Sequence, residues 1–273
     1  MSDPAPALDP AAVAAAAADL ARARRIVVLT GAGISAESDI PTFRDTMEAL
    51  WKEFDPQELA TPEAFARDPE TVTRWYDHRR TRCLEAEPNP GHRALARLER
   101  VMRERGGTCT ILTQNVDRLH QRAGSEDVVE LHGTIMEWRC TETGRRVELE
   151  PGPMPVFPPP SPHHPGALLR PDVVWFGEML PTAAIERAER AMHGCDCFLS
   201  VGTSSVVYPA AGFIDAALAV GAPVVEVNPQ ATAASDRVTH RLVAPGGVAL
   251  PRLMDEAFGA GTGADAGPAR EDG

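Results

Sequence analysis

A chain of 273 residues, 43% of them hydrophobic, is long enough for one large domain or two small ones. Its formal net charge of −12 argues against a nucleic-acid partner, because phosphate binding requires a basic surface. No run approaches the roughly 18 apolar residues of a membrane span, and five scattered cysteines do not suit a disulfide framework, so we expect a cytoplasmic protein without a membrane partner.

The chain begins with an Ala-rich run at residues 11–18, which predicts a short helix and lacks the preceding positive region of a signal peptide. Four short, β-branched runs then predict buried parallel strands, at residues 24–30, 108–112, 197–201 and 223–227. Helical patterns lie between them, at residues 92–105, 183–192 and 210–220. This alternation predicts the α/β class, with a Rossmann-like parallel sheet covered on both faces.

Two segments interrupt the alternation. Residues 44–91 are helical in pattern, and residues 136–166 are rich in proline, which excludes regular helix or central strand. We expect both to form a small inserted domain beside a Rossmann-like core built from residues 20–43, 92–135 and 167–256. The catalytic domain would then span residues 1–258, and the Gly- and Ala-rich residues 259–273 would be a disordered tail.

A glycine-rich segment follows the first predicted strand and matches the dinucleotide-binding pattern G-x-G-x-x-G/A, with Gly31, Gly33 and Ala36 at the fixed positions. We expect Gly31 to permit the tight turn, Gly33 to let backbone amides approach a pyrophosphate, and Ala36 to keep the next element close to the sheet. Many glycine-rich turns bind nothing, so this pattern alone is a weak signal.

Polar residues follow several of the other predicted strands, at the sheet edge where open α/β proteins bind ligands. They are Gln114, Asn115 and Asp117; His132, which ends a further predicted strand beginning at Val128; Gly202, Thr203 and Ser204; and Asn228, Pro229 and Gln230. Buried without partners, such a cluster would be costly, which favours a ligand. A lone histidine before glycine is more often a turn residue than a catalyst, but the position of His132 beside this cluster favours proton transfer.

Together these motifs resemble the sirtuin family, in the family's order and over roughly residues 20–256. The resemblance rests on residues 31–38 and 40–44, on Thr113 to Asp117, on Leu131 to Gly133, on Val174 to Glu178, on Gly202 to Ser204 and on Asn228. It implies NAD as the cofactor and acylated protein lysine as the substrate. The implied cofactor-binding residues are Gly31, Ala32, Gly33, Ile34, Glu37, Phe43, Arg44, Gln114, Asn115, Val116, Asp117, Gly202, Thr203, Ser204, Asn228, Pro229, Gln230 and Gly246.

The resemblance also implies a mechanism. The acyl-lysine carbonyl oxygen attacks C1′ of the nicotinamide ribose and expels nicotinamide, and His132 then acts as general base on the ribose hydroxyls. Asn115 and Asp117 would orient the nicotinamide amide and a hydroxyl or water. The products would be free lysine, nicotinamide and an O-acyl-ADP-ribose.

For the substrate, the resemblance implies that Val174, Phe176, Gly177 and Glu178 belong to a strand that pairs with the peptide. Tyr76 and Arg79 lie three apart on a predicted helix at residues 71–82, as in class III sirtuins, which remove succinyl, malonyl and glutaryl groups. An arginine fork and a phenol can together hold a carboxylate. The alternative is an ordinary solvated helix face, which is our expectation for Arg74, Arg80 and Arg82.

Two departures from the family pattern are visible. The structural zinc of most sirtuins needs two Cys-x-x-Cys pairs. Here the first pair would be Cys140 and position 143, which is Thr143, and the second falls on Ser161 to Pro165, so that at most Cys140, His163 and His164 remain as ligands. We therefore expect no zinc and a degenerate site. Asp39 stands where many members have glycine.

Two other functions stay open. The same pocket would serve a mono-ADP-ribosyltransferase or an NAD hydrolase, and a chain that had lost activity together with its zinc would be a non-catalytic NAD sensor. Because His132 and the Tyr76–Arg79 pair are present, deacylation is the favoured interpretation.

Overall fold

A computed structural model describes residues 8–40, 59–206 and 208–261 of the chain. In these ranges the helices are α1 (Pro10–Arg22), α2 (Pro62–Arg67), α3 (Pro69–Glu85), α4 (Pro90–Glu104), α5 (Leu119–Arg122), α6 (Thr182–Met192), α7 (Gly212–Ala219) and α8 (Gly246–Phe258). The strands are β1 (Arg25–Thr30), β2 (Thr108–Thr113), β3 (Val128–Glu130), β4 (Gly133–Cys140), β5 (Arg146–Glu148), β6 (Leu169–Val173), β7 (Cys197–Val201), β8 (Val224–Val227) and β9 (His240–Leu242).

Six of these strands form one parallel sheet in the order β3-β2-β1-β7-β8-β9. This order confirms the expected Rossmann-like α/β fold. From β1 the chain builds outward through β2 to β3, and from β7 it builds outward in the opposite direction through β8 to β9. The carboxyl ends of β1 and β7 therefore flank the point where the strand order reverses, which is where open α/β sheets form a binding crevice.

Helices cover both faces of the parallel sheet. On one face, residues of α1, α4 and α8 pack against the strands, and Leu20, Leu98 and Leu253 are fully buried there. On the other face, residues of α6 and α7 pack against Phe198 and its neighbours. Strands covered on both sides must be apolar throughout, which explains their continuous β-branched sequences.

Four helices begin with the same two-residue signal, an N-cap side chain followed by proline. Asp9, Thr61, Asp68 and Asn89 each accept a hydrogen bond from a backbone amide of the first turn, and Pro10, Pro62, Pro69 and Pro90 follow them. Proline suits the first helical position because its missing N–H would have no partner there. Three of these prolines, Pro62, Pro69 and Pro90, lie within the segment 44–91 that is helical in pattern, and each marks the start of a helix there.

A second, antiparallel sheet in the order β5-β4-β6 packs against α2 and α3. It runs from Gly133 to Val173 and so extends beyond the expected insertion at residues 136–166 on both sides. Ile135, Trp138 and Trp75 are fully buried between the sheet and α3. This small module is therefore a packed unit with its own apolar core.

One expectation for α3 is wrong: Arg80 is not on a solvated face. Its side chain is 2% exposed, donates to the Asp77 carboxylate at 2.9 Å, and also bonds the backbone carbonyls of Glu150 and Gly152. It thereby ties α3 to the segment after β5. Among the described residues, no helix is both long enough and apolar enough to cross a membrane.

Candidate active site

The glycine-rich segment after β1 lies against the end of β7, backbone to backbone. The Gly33 amide donates to the Gly202 carbonyl at 2.8 Å, and a Cβ placed on Gly31 or on Gly33 would stand 2.8 Å from that same oxygen. The expected tight turn does begin at Gly31, whose carbonyl accepts the Ile34 amide at 3.1 Å, but its extended φ of −126° does not itself require glycine. The glycines are required because the two loops meet without room for side chains.

Beyond Gly33 the chain forms two short 3-10 turns, Ala32–Ile34 and Ala36–Ser38. Ile34 is fully buried and Ala36 is exposed, so Ile34, not Ala36 as expected, anchors the loop on the sheet. The Glu37 carboxylate accepts the Gly247 amide at 2.7 Å, at the positive end of α8. Gly246 packs beside Ile34, since a Cβ placed on Gly246 would stand only 3.3 Å from Cγ1 of Ile34.

A buried polar cluster lies beneath this loop, with Ser35 at its centre. The Ser35 hydroxyl donates to Asp117 at 2.8 Å and accepts from the Asn115 amide at 3.1 Å. Asn115 also donates to the Gly31 carbonyl, and the Leu119 amide donates to Asp117. Burial raises the pKa of Asp117 above its ordinary value, although these hydrogen bonds oppose the rise. The cluster therefore joins the loops after β1 and β2 through Ser35, a residue absent from the predicted set.

Two buried histidines that the sequence did not single out lie behind this cluster. The His92 and His120 rings are 4.9 Å apart, and His92 Nε2 is 3.5 Å from the Ser35 hydroxyl. His120 Nε2 is 2.9 Å from the Thr30 hydroxyl, which donates to Thr113. Burial lowers the pKa of His92 to about 2 and that of His120 to about 4, so both rings are neutral. Only the Asn-Pro-Gly-His sequence of the α4 capping box could have pointed to His92.

His132 follows β3 and stands at the same edge of the sheet. Its Nδ1 is 3.0 Å from the Gln114 backbone carbonyl, which can only accept, so Nδ1 carries the proton and Nε2 keeps a lone pair. Burial lowers the pKa of His132, and the hydrogen bond to Gln114 partly opposes this. The Gln114 side chain in turn donates to Thr203 at 3.0 Å, which links β2 with the loop after β7.

The expected adenosine-binding residues occupy the other side of the crevice. The Asn228 side chain donates to the Thr203 carbonyl at 2.9 Å and accepts the Gln230 amide. Ser204 is half-buried, whereas Pro229 and Gln230 are exposed. The ends of β7 and β8 thus bring these residues beside the glycine-rich loop.

The remaining expected cofactor residues divide into two groups. Val116 packs into the core of the small module, and its carbonyl accepts the Ile135 amide at 3.0 Å. Phe43 and Arg44 lie outside the described residues.

The segment Val174 to Glu178 follows β6 and turns at Phe176 and Gly177, without the expected strand in this structure; its pairing with a substrate peptide stays a prediction. The amide of Val174 donates to His132, that of Phe176 to Ala60, and that of Glu178 to Trp175. Gly177 has a left-handed φ of 85°. Most of the turn's amides are thus bonded within the chain, while the Phe176 side chain remains 47% exposed at the surface.

Tyr76 and Arg79 lie together, as their spacing predicted. Tyr76 is 3% exposed, and the Arg79 guanidinium carbon is 5.8 Å from its ring centre and 4.7 Å from that of Trp75. Burial raises the pKa of Tyr76 to about 12, so its hydroxyl remains a hydrogen-bond donor. The Trp175 ring, 6.3 Å from Tyr76, connects this pair to the turn after β6.

The residues at the degenerate metal site do not fit a closed zinc site. Within the described ranges, no three His, Cys, Asp or Glu residues group in a way that could hold a metal. Burial raises the pKa of the Cys140 thiol, but hydrogen bonds from Ser161, Thr143 and nearby backbone amides outweigh this and lower it to about 7. His164 is exposed, and His163 Nε2 is directed at the Arg146 carbonyl, 3.4 Å away. The hydroxyls of Thr143 and Ser161 therefore stand near the sulfur, one from each of the two expected cysteine pairs, where zinc would need thiolates.

Taken together, the sheet order, the glycine-rich loop and the polar residues at the strand ends define a dinucleotide-binding α/β protein. Comparison with known proteins is more specific: the chain matches the Sir2 family over residues 31–209 and belongs to it.

Several relatives carry a common name. A Thermus thermophilus protein named NAD-dependent protein deacylase is 54% identical over 213 residues, covering 78% of this chain and 82% of the relative. A Pseudomonas aeruginosa NAD-dependent protein deacylase 1 is 48% identical over 88% of this chain and 96% of the relative. The mitochondrial NAD-dependent protein deacylase sirtuin-5 of the dog is 41% identical over 86% of this chain and 82% of the relative.

The solved structures agree with the sequence comparison. A Sir2 homologue crystallised with NAD superposes with a TM-score of 0.83 at 41% identity, covering 88% of this chain and 92% of the other. Another, Sir2Af2 bound to a myristoylated histone peptide, superposes with a TM-score of 0.72 at 30% identity, covering 91% and 97%.

Proposed function

We propose that this chain is an NAD-dependent protein-lysine deacylase with His132 as its general base. The observation that carries the proposal is the geometry of His132, whose Nδ1 hydrogen is held by the Gln114 carbonyl so that Nε2 is left to take a proton. The relatives named NAD-dependent protein deacylase support the activity. The Sir2 homologue solved with NAD supports NAD as the cofactor.

The chain's own residues fit a bound dinucleotide at the reversal point of the sheet. Gly31 and Gly33 pack on Gly202 without side chains between the two loops, which suits a pyrophosphate that must approach the backbone. Thr203 and Asn228 would hold the adenosine end, and Asn115 and Asp117 the nicotinamide end. When bound, NAD supplies the ribose carbon that accepts the acyl oxygen as nicotinamide leaves.

His132 Nε2 would accept a proton from a hydroxyl of the bound ribose, which would make that oxygen nucleophilic. Because the pKa of His132 lies below its ordinary value, the ring is neutral and ready to accept at neutral pH. The buried Ser35–Asn115–Asp117 cluster fixes the polar wall of the pocket, since the Ser35 hydroxyl is hydrogen-bonded to both Asn115 and Asp117.

We extend the proposal to acidic acyl groups, with acetyl-lysine as a further substrate. The Arg79 guanidinium and the buried, protonated Tyr76 hydroxyl together offer a carboxylate a charge and a donor. The dog relative named sirtuin-5 supports a class III assignment. The cytoplasmic location stays a prediction, supported by five free, buried thiols that suit a reducing compartment.

The first experiment measures nicotinamide release and peptide mass on matched acetyl-, succinyl- and malonyl-lysine peptides, with NAD. We expect turnover of all three, loss of turnover in His132→Ala with NAD affinity retained, and normal turnover in His193→Ala, whose ring is on the surface. Substantial turnover by His132→Ala would contradict the role of the base. NAD binding without nicotinamide release would indicate the sensor, and labelled ADP-ribose on protein would indicate the transferase.

The acyl preference has its own test. Arg79→Met should lower the ratio of succinyl to acetyl activity by at least about tenfold, because it removes the charge that pairs with the acid. Arg74→Met is the matched control, since Arg74 lies on the solvated side of α3 and pairs with Glu70. An unchanged ratio in Arg79→Met would refute the acidic preference and leave the deacylase intact.

A further inference from the structure

We propose that Arg170 is a positioning residue that fixes the Val174–Glu178 turn and, through Trp175, the inner wall of the acyl pocket. The inference rests on the proposed function, in which this turn and pocket hold the acyl-lysine substrate. Arg170 lies on β6, outside the predicted set of site residues, and its side chain is 11% exposed.

Arg170 holds the turn at three points. Its two terminal nitrogens donate in parallel to the two carboxylate oxygens of Glu178, at 2.6 and 2.9 Å. One of them also donates to the Val173 carbonyl at 3.1 Å. Its guanidinium carbon lies 3.3 Å from the centre of the Trp175 ring, so the charged guanidinium group stacks on the indole. One side chain thus contacts the start, the middle and the end of the turn.

Glu178 closes the turn from the other side. Its carboxylate accepts the Trp175 amide at 2.9 Å in addition to the two bonds from Arg170. Burial raises the pKa of Glu178, but the hydrogen bonds from Arg170 and Trp175 outweigh this and lower it, so the carboxylate stays charged. The left-handed Gly177 then lets the chain reverse between Trp175 and Glu178.

Trp175 connects the turn to the acyl pocket. The indole is 2% exposed, its ring centre lies 5.3 Å from that of Phe65 and 6.3 Å from that of Tyr76, and Tyr76 in turn lies beside Arg79. If the indole shifts, the Tyr76 ring loses one of its two aromatic neighbours and keeps only Trp75, 4.6 Å away. Arg170 therefore fixes both the shape of the Val174–Glu178 turn and the position of the Tyr76–Arg79 pair, which would bind the acyl carboxylate.

An arginine that binds a carboxylate through two parallel hydrogen bonds and stacks on a ring cannot be replaced by lysine without loss. Lysine keeps the positive charge but has neither the two parallel donors nor the planar face. Arg170→Lys should therefore keep the fold while losing most of the positioning, and Arg170→Gln should lose it fully. Glu178→Gln removes the partner and keeps its size. Arg139→Gln is the matched control, because Arg139 is 3.9 Å from Glu178 and does not stack on Trp175.

The test compares steady-state kinetics on succinyl- and acetyl-lysine peptides for the wild type and these four variants, with thermal unfolding measured alongside. We expect the peptide KM to rise about tenfold or more in Arg170→Gln and Glu178→Gln, and less in Arg170→Lys, while the KM for NAD changes by less than about threefold. The double variant Arg170→Gln/Glu178→Gln should raise the KM by less than the product of the two single effects, because both single variants lose the Arg170–Glu178 ion pair. Arg139→Gln should match the wild type in the KM for the peptide and for NAD.

The outcomes separate the two proposals. An active wild type whose peptide KM is unchanged in both Arg170→Lys and Arg170→Gln overturns this inference and leaves the deacylase standing. A parallel loss of NAD affinity, peptide affinity and thermal stability in Arg170→Lys also overturns it, because Arg170 would then be structural only. A wild type without turnover overturns the proposed function and this inference with it.

Discussion

At the scale of single residues, a backbone carbonyl sets the chemistry of His132. Because the Gln114 carbonyl accepts the Nδ1 hydrogen, the basic nitrogen is Nε2, and because the ring is largely buried its pKa is lowered. Sequence alone could place His132 after a strand, but it could not show which nitrogen is basic. That assignment depends on an atom eighteen residues away in the chain.

This environment predicts the pH dependence of the reaction. The acid limb of kcat/KM for the peptide should lie below pH 6.5, because His132 must be neutral to act and its free-enzyme pKa is lowered. His193→Ala should keep the same profile. An apparent pKa at or above 6.5 for this limb would contradict the assignment of His132 as the titrating base.

His120 predicts a second pH effect, on stability. Its pKa is lowered to about 4 by burial, so between about pH 4 and 6.5 the unfolded chain binds a proton there that the folded chain does not. Stability from His120 is therefore complete above pH 6.5 and falls as the pH drops toward 4, at about 1 kcal/mol per pH unit. Denaturant unfolding of the wild type and His120→Gln across this range checks it, and an equal slope in both would contradict it.

At the scale of elements, the loops after β1 and β7 act as one unit because neither leaves room for a Cβ. Gly202 has a left-handed φ of 60°, and a Cβ there would stand 2.4 Å from the Ile34 amide nitrogen. Gly202→Ala should weaken NAD binding at least tenfold and destabilise the fold by about 1–3 kcal/mol. Calorimetric titration and thermal unfolding measure both effects.

The control for this variant is Gly212→Ala at the start of α7. There the nearest atom to an added Cβ is a Tyr208 ring carbon at 3.9 Å, so little should change. Wild-type NAD affinity in Gly202→Ala would show that the two loops move independently, against the present interpretation.

The elements differ in how much their sequence reveals. β1, β2, β7 and β8 were predictable because a strand buried on both faces must be apolar throughout. β4, β5 and β6 were not, since a small sheet with one charged face carries arginine and glutamate beside its core residues, as at Glu137, Arg139 and Arg170. Proline density pointed away from strands there, although proline is compatible with short edges.

For the site, the residues that follow strands were predictable and those beneath them were not. Asn115, Asp117 and His132 stand at strand ends, and the fold alone brings strand ends together. Ser35, His92 and His120 meet through contacts between segments 28 to 85 residues apart, and a lone buried histidine has no distinguishing sequence pattern. Arg80 shows the same limit, because two of its three partners, the carbonyls of Glu150 and Gly152, come from a distant loop.

At the scale of the whole molecule, charged side chains join the parallel sheet to the small module. Ion pairs of alternating sign run from the end of β3 across one face of the antiparallel sheet to the turn after β6, through Glu130, Arg118, Glu137, Arg146, Asp172, Arg139 and Glu178. Individual exposed pairs stabilise by about 0–1 kcal/mol, but a connected, half-buried network holds several strands in register at once. The opposite face of the same sheet is apolar and packs on α3.

This arrangement predicts a small module that folds without metal. Elemental analysis should find far less than one zinc per chain, and a chelator should leave the unfolding temperature unchanged, because Thr143 and Ser161 stand where ligands would be required. Raising the salt to about 1 M should lower that temperature, since partly exposed ion pairs are screened. As an internal check, Cys140→Ser should shift the unfolding temperature only slightly. About one zinc per chain, or a large fall in the unfolding temperature of this variant, would mean that a metal stabilises the module.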